Sequence, residues 1–243
     1  MISVEGLSKR FGEVTAVDGV TFEARDGEVT GLLGPNGAGK TTTLRMLYGL
    51  MRPDGGRIAV DAVDAAADPA GARARMGVLP DAHGLYQRLT AREHLRYFGR
   101  LRGLAGADLD RRVDELVELL DMGAIAGRRA QGFSHGERTK VSLGRALVHD
   151  PRTVLMDEPT NGLDVGSTRA VRGLIRRMRE EGRCVLFSSH IMQEVAALCD
   201  RIVILAEGRV AAEGTPDELR ARTGHANLED AFVALSGLDE VEP

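Results

Sequence analysis

The sequence contains little cysteine and no long apolar segment. Only two of its 243 residues are cysteines, Cys184 and Cys199, which excludes a disulfide framework. Both lie among apolar residues, so we expect buried thiols in a reducing cytoplasm. No apolar run approaches the roughly 18 residues that a membrane-spanning helix needs, and the first residues, MISVEGLSKRFG, lack the apolar core of a signal peptide. If the protein acts at a membrane, we therefore expect a partner protein to hold it there.

The sequence also lacks a strong charge of either sign. Its formal net charge is -4, so no basic field predicts a nucleic-acid partner. Of its 32 basic residues only three are lysines, and one of these is Lys40. Hydrophobic residues make up 43% and charged residues 28%, which is typical of a soluble globular protein. The length suits one domain, or one domain with a subdomain.

Four short apolar runs have the composition of strands that are buried on both faces, as in a parallel sheet. They cover residues 29–33, 152–159, 183–190 and 201–208. Apolar residues at helical spacing follow the first run and separate the later ones. This alternation predicts an α/β fold with a mostly parallel sheet.

Two other parts of the chain follow different patterns. Residues 2–11 and 19–29 alternate like paired antiparallel strands. Residues from about 89 to 150 show three helix patterns with no convincing strand between them, which predicts a helical subdomain inserted into the sheet domain. The last residues, LDEVEP at 238–243, are acidic, and we expect them to be frayed.

A glycine-rich loop follows the first apolar run and precedes a periodic helix. Its sequence GPNGAGKT fits the phosphate-loop pattern of glycine, four residues, then Gly-Lys-Thr. In such a loop the N–H groups surround phosphate oxygens at a helix N-terminus, the lysine reaches the β- and γ-phosphates, and the following hydroxyl can ligate Mg²⁺. The alternative is an ordinary glycine-rich turn, which the strand-loop-helix context disfavours. The candidate phosphate-binding residues here, which the resemblance described below assigns to ATP, are Gly34, Pro35, Asn36, Gly37, Ala38, Gly39, Lys40, Thr41 and Thr42.

Two acids end the buried run VLMDEP. Asp157 can hold a Mg²⁺ ion, and Glu158 can polarise an attacking water. Alone, the pair would more simply be two acids in a strand-to-loop turn. Together with the phosphate loop it predicts nucleoside triphosphate hydrolysis.

The stretch QGFSHGERTK, residues 131–140, combines two signals at the start of an amphipathic helix. Ser134 and Glu137 have the spacing of a capping box. A capping box does not explain Gly136, because glycine is a poor choice in a first helical turn unless something approaches the backbone closely.

Over essentially its whole length the chain resembles the ATP-binding subunits of ABC transporters. GPNGAGKTT resembles their Walker A motif, FSHGE their signature motif, VLMDEPTNGLD their Walker B motif with catalytic glutamate and D-loop, and SSH their H-switch. The resemblance implies a P-loop NTPase (RecA-like) fold with an N-terminal antiparallel β part and an inserted helical subdomain. It implies a single domain over 1–243, with a nucleotide-binding core at 1–88 and 151–222, the helical subdomain at about 89–150 and a C-terminal tail at 223–243.

The same resemblance assigns roles to residues. Two copies would pack head to tail around ATP and Mg²⁺, with the signature residues of one copy facing the nucleotide of the other. Glu158 and His190 would be catalytic, and Phe11 would stack on adenine, although an ordinary core phenylalanine is the competing interpretation. Thr41, Asp157 and, more weakly, Asp81 would bind Mg²⁺. The signature residues are Ser134, His135, Gly136 and Glu137, and the D-loop residue is Asp164.

The chain departs from the family pattern at two motifs. The signature, usually LSGGQ, has Phe133, His135 and Glu137 in place of leucine, glycine and glutamine. His135 adds bulk beside the phosphate. Asp81 occupies the position where the family has the Q-loop glutamine, and its carboxylate could ligate Mg²⁺ or be repelled by the phosphates.

Residues 84–104, 145–164 and 228–237 resemble most closely the exporter cassettes of the sodium-extruding type and their drug-exporter relatives. This implies a separate integral-membrane permease, a peripheral position on the cytoplasmic face of the membrane, and export of sodium ions or, alternatively, of drugs and antibiotics. A soluble ABC ATPase and a P-loop kinase or GTPase are further alternatives. The first would be expected to show a long coiled-coil insertion or a second cassette. A GTPase would show an Asn-Lys-x-Asp motif, which the sequence lacks.

Overall fold

The computed structural model of the chain describes residues 1–82 and 84–237. In this part the chain forms ten strands in two sheets and nine helices. The strands are β1 (Ile2–Phe11), β2 (Val14–Ala24), β3 (Val29–Leu33), β4 (Gly55–Val60), β5 (Val63–Asp64), β6 (Met76–Leu79), β7 (Thr153–Asp157), β8 (Cys184–Ser189), β9 (Arg201–Ala206) and β10 (Arg209–Gly214). The helices are α1 (Lys40–Leu47), α2 (Pro69–Ala74), α3 (Ala91–Leu101), α4 (Gly106–Leu119), α5 (His135–Leu147), α6 (Val165–Glu180), α7 (Met192–Leu198), α8 (Pro216–Thr223) and α9 (Leu228–Ser236).

The larger sheet carries the predicted apolar runs. Its strand order is β10-β9-β3-β8-β7-β6, and all neighbouring pairs are parallel except β9 and β10. Every residue of β3, β7 and β8 is buried, which explains why these strands are mostly apolar, with the polar residues Asp157 and Ser188 toward the carboxyl ends of β7 and β8. Because the carboxyl ends of parallel strands share one edge, the segments that follow β3, β7 and β8 meet there.

The smaller sheet is antiparallel, with the order β2-β1-β4-β5. Its apolar face packs with α1 and one face of the larger sheet around residues such as Leu7, Leu44 and Leu186. The predicted α/β fold with an N-terminal antiparallel part is therefore confirmed. Both cysteines are buried, as predicted. Burial raises the pKa of Cys199 and raises that of Cys184 to about 11.

Three helices, α3, α4 and α5, occupy the segment that was predicted to be helical, and the structure, which describes all of residues 91–147, shows no strand there. They pack against the other face of the larger sheet, where Leu95, Leu116 and Val141 join Met156 in one core. None of the helices in the described ranges is long and apolar enough to cross a membrane.

The C-terminal residues contain more structure than the tail that the sequence predicted. Helix α9 begins after Asn227, whose side chain accepts a hydrogen bond from the Asp230 N–H, and it buries Leu228 and Phe232 in the core. The acidic stretch 238–243 lies outside the described residues. The sequence did not predict four of the strands: β6 and β10 lie at the edges of the larger sheet, and β4 and β5 belong to the smaller one.

Candidate functional site

The phosphate loop folds around its own lysine. Lys40 Nζ donates hydrogen bonds to the carbonyl oxygens of Gly34, at 2.6 Å, and Pro35, at 3.0 Å. Burial lowers the pKa of Lys40, while the charges of Glu158 and Asp157 oppose that shift. The ammonium group therefore lies at the first turn of α1, within the field of two acids from the end of β7.

Two glycines of the loop lie against backbone from other strands. A Cβ atom on Gly34 would be 2.4 Å from the carbonyl oxygen of Leu205 in β9. A Cβ atom on Gly39 would be 2.5 Å from the carbonyl oxygen of Ala16 in β2, and Gly39 has a φ of +97°. Only glycine fits these contacts, so both sheets fix the path of the loop.

Asp157 lies at the end of β7, beside the start of α1. Its Oδ1 accepts hydrogen bonds from the Ser188 hydroxyl, at 2.6 Å, and from the Thr41 hydroxyl, at 3.3 Å. Its Oδ2 is buried without a hydrogen-bond partner in the described part of the chain. A buried carboxylate oxygen without a partner, next to a hydroxyl, suits Mg²⁺, which binds hard oxygen ligands and is often held by one or two protein groups plus substrate phosphates. Thr41 and Asp157 therefore fit the predicted ion.

Glu158 follows Asp157 in an unusual backbone conformation. Its φ is +50°, which costs a non-glycine residue free energy and is found most often at functional sites. Its N–H donates to Ser188 Oγ at 3.0 Å. Its Oε2 lies 2.8 Å from Nδ1 of His190, which follows the neighbouring strand β8. The backbone thus turns the Glu158 carboxylate toward the histidine and not into the core.

These groups share one open cleft of about 460 Å³. Asp81, Glu158 and His190 line it together with part of the phosphate loop. The loop residues that line it are Asn36, Gly37, Gly39, Lys40, Thr41 and Thr42. In the cleft the structure therefore brings together six of the nine predicted phosphate-loop residues, both predicted catalytic residues and Asp81, while Asp157 lies beside Thr41 without lining the cleft.

Phe11 and the signature residues are placed differently. Among the described residues, the lining of the cleft does not include Phe11, which ends β1 with 48% of its surface exposed and has Lys9 Nζ 5.8 Å from its ring centroid. The lining also excludes, within the same described ranges, Ser134 and Gly136, which lie at the start of α5.

The signature segment is built as the sequence predicted. Ser134 and Glu137 form both hydrogen bonds of a capping box. The Ser134 N–H bond and Arg128 together hold the pKa of Glu137 below its usual value. His135 Nε2 lies 2.9 Å from the carbonyl oxygen of Asn161, a residue that lines the cleft.

The D-loop residue Asp164 caps helix α6 beside this segment. It accepts hydrogen bonds from the N–H and the hydroxyl of Ser167, at 2.9 and 2.7 Å, which lower its pKa. A Cβ atom on Gly136 would be 2.8 Å from Ser167 Oγ. The absence of a side chain at Gly136 therefore lets α5 approach the start of α6.

Sequence reasoning missed Ser188. This buried serine binds both the Asp157 carboxylate and the Glu158 N–H. A signal was present, since Ser188 is the first polar residue after four apolar ones in β8. Its partners could not be predicted, because they depend on β8 lying next to β7.

Comparisons with known proteins agree with this geometry. The family described as "ABC transporter" matches residues 17–161. The chain is 45% identical over 239 residues to the ABC transporter ATP-binding protein NatA of Bacillus subtilis (strain 168), covering 96% of this chain and 97% of that protein. It is 36% identical to the linearmycin resistance ATP-binding protein LnrL of the same organism, covering 99% and 76%. A solved structure of an ATP-binding subunit of an ABC transporter superposes with a TM-score of 0.90 at 33% identity, covering 97% of this chain and 99% of that one.

Proposed function

Because this chain belongs to the ABC transporter family, and is therefore an ABC-type ATPase subunit, we propose that it powers export through a separate membrane permease. The observation that carries the proposal is the single cleft that joins Lys40, Glu158 and His190. In this cleft a phosphate-binding lysine faces an acid that is able to accept a proton and an imidazole that contacts the acid.

Each residue of the cleft has a distinct task in the proposed hydrolysis. Lys40 exchanges the carbonyl oxygens of Gly34 and Pro35 for phosphate oxygens, while the N–H groups of the loop bind the same anion. Mg²⁺, when bound by Thr41 and Asp157, supplies charge neutralisation at the phosphates.

Glu158 is the proposed general base. It accepts the proton of the attacking water, and His190, which contacts the carboxylate, orients that water. Asp81 also lines the cleft, and a contact with Mg²⁺ would be its task. Phe11, exposed at the end of β1, is available to stack on the adenine ring.

The proposed working unit is a pair of copies in head-to-tail contact. The N-terminus of α5 presents Ser134 and the backbone of Gly136, which are suited to binding an anion. Among the described residues these two do not line the cleft of their own chain. We propose that they complete the site of a second copy, so that ATP holds the pair together.

The proposed permease contact is an exposed patch of large side chains, made by Tyr86, Tyr97 and Leu101. These side chains are 51%, 43% and 64% exposed, and the rings of Tyr86 and Tyr97 meet edge to face at 5.7 Å. Exposed large apolar groups that cluster in this way mark an interaction surface. The patch lies on and before α3, in the segment expected to contact the permease, which would hold the chain at the cytoplasmic face of the membrane.

Sodium ion is the first proposed substrate, because the 45% identity with NatA extends over nearly the whole of both chains and agrees with the sodium-extruding resemblance. An amphipathic drug or antibiotic is the second, because LnrL is named for linearmycin resistance. The permease would make most of the contacts that distinguish the two.

The test is ATP-dependent ²²Na⁺ uptake into inside-out vesicles that carry this chain and the multi-span permease proposed as its partner. Glu158→Gln should abolish uptake, whereas Glu118→Gln, on the exposed face of α4, should not. Intact ATPase activity and an assembled complex without uptake would refute sodium as the substrate and leave the amphipathic substrates.

Glu158→Gln should also trap an ATP-bound pair of copies in size-exclusion chromatography with light scattering. A monomer under all ATP conditions would contradict the head-to-tail arrangement.

A further inference from the structure

Two chain segments carry the proposed general base and its histidine. Besides the bond from the Glu158 N–H to Ser188 Oγ, two side-chain contacts join them. At the cleft, Glu158 Oε2 lies 2.8 Å from His190 Nδ1. Beneath it, the hydroxyl of Thr160 donates to Glu194 Oε2. Thr160 follows Glu158 by two residues and Glu194 follows His190 by four, so the two contacts and the two segments form a closed ring.

The inner contact is buried and the outer one is not. The Glu194 side chain is 3% exposed, against 45% for His190. Exposed hydrogen bonds compete with water and add little stability, so they hold a geometry weakly, while buried ones are costly to break. Together with the bond from the Glu158 N–H to the buried Ser188, the pair of Thr160 and Glu194 therefore holds the distance between the two segments.

A second partner explains how the Glu194 carboxylate tolerates burial. Arg172 Nη2, from α6, donates to Glu194 Oε1 at 3.2 Å. Burying a carboxylate is unfavourable unless it is paired and hydrogen-bonded, and apolar residues often replace such pairs without loss of stability. The core therefore does not require an acid at this position. The Glu194 carboxylate is needed instead because it joins three segments. It lies in α7, binds Arg172 of α6, and accepts a hydrogen bond from Thr160 in the turn after β7.

We propose that Glu194 is a positioning residue for ATP hydrolysis. Through Thr160 it holds the turn of Glu158 at the separation from His190 that their hydrogen bond needs. Within the described ranges Glu194 does not line the cleft, so it acts on the geometry of hydrolysis and not on nucleotide binding. The inference rests on the proposed catalytic roles of Glu158 and His190.

The test uses the full chain with Mg-ATP and three variants: Glu194→Gln, Thr160→Val and the double variant. In Glu194→Gln only one carbonyl oxygen remains to accept hydrogen bonds from the two donors, Thr160 and Arg172. The new amide NH₂ group faces one of these donors and cannot accept from it. Thr160→Val removes the hydroxyl at nearly constant volume. Each should lower kcat by about 10- to 100-fold, the range expected when a reacting group is displaced by about 1 Å. The Kd for a fluorescent ATP analogue should change by less than about twofold, and the double variant should be no worse than either single one.

Controls separate positioning from damage to the fold. Glu180→Gln, exposed on α6, should retain wild-type kcat. In a Glu158→Gln background the residual single-turnover hydrolysis should not change when Glu194→Gln is added, because no general base remains to be positioned. Circular dichroism at the assay temperature checks folding, and Thr160→Val carries the test if Glu194→Gln does not fold.

Several outcomes would overturn the inference. Wild-type kcat in the folded variants, or a further loss in the Glu158→Gln background, would show that Glu194 does not act through Glu158. Wild-type hydrolysis by Glu158→Gln itself would instead refute the proposed function, whatever the Glu194 variants do.

Discussion

Replacing Gly39 by alanine would place a methyl group against the backbone of another strand. The new Cβ would lie 2.5 Å from the carbonyl oxygen of Ala16, in β2. That carbonyl belongs to a strand of the antiparallel sheet and cannot move as a side chain can. The φ of +97° at Gly39 adds a second cost, because L residues rarely adopt it.

Gly37 provides a matched control for the backbone cost alone. Its φ is +85°, but no atom of the described chain outside its neighbours would lie within 4 Å of its Cβ. Gly37→Ala should therefore cost about 1–2 kcal/mol of unfolding free energy. Gly39→Ala should cost a further roughly 1–3 kcal/mol, which is typical of overpacking in a region that cannot relax.

Urea unfolding followed by circular dichroism measures both free energies from the midpoint and slope. Gly39→Ala should also bind ATP more weakly, because relief of the contact with Ala16 displaces the first residue of α1, Lys40. Equal free energies of unfolding for Gly37→Ala and Gly39→Ala would refute the argument that β2 constrains the phosphate loop.

Three further predictions concern charged and titrating groups. Lys40→Ala should abolish phosphate release, whereas Lys140→Ala, which loses contacts with the carboxylate and the carbonyl oxygen of Asp121 outside the cleft, should not. Asp157→Asn should weaken ATP binding about tenfold or more, equivalent to about 1.4 kcal/mol, in calorimetry with Mg²⁺ but much less with EDTA. Burial, and secondly the charge of Arg102, lower the pKa of His149 from 6.5 to about 4. The unfolded chain therefore binds a proton at this histidine more readily than the folded chain does. As a result the free energy of unfolding falls as the pH decreases from about 6.5 to about 4. His149→Gln should therefore show a smaller decrease in Tm between pH 7 and pH 5 than the wild type, and an equal decrease would contradict this assignment.

Several features could be predicted because they depend on consecutive residues. The phosphate loop begins directly after β3 and ends in α1, as the pattern of glycines, lysine and threonine indicated. The capping box of Ser134 and Glu137 formed because its two hydrogen bonds span only three residues. The strands of the parallel sheet were visible because burial on both faces requires an unbroken apolar run.

Other features could not be predicted because they join residues distant in the chain. Ser188 contacts Asp157 across 31 positions, and Glu194 contacts Thr160 across 34. Each contact exists because β8 lies beside β7 in the sheet, and no periodicity in either segment specifies that neighbour. The edge strand β6 was missed for a related reason, since four residues are too few to establish a pattern.

By itself the sequence determined the α/β class, the position of the phosphate loop between β3 and α1, and the start of the signature helix. These follow from hydrophobic period, glycine pattern and local hydrogen bonding, which act over a few residues. The family of the chain was indicated by the resemblance of its motifs. Only the tertiary structure decided that Glu158 faces His190, that a buried Glu194 lies beneath them, and that Ser134 lies outside the cleft of its own chain. Strand order and helix packing determine such distances, because they arise from burial of the whole apolar surface and not from any single segment.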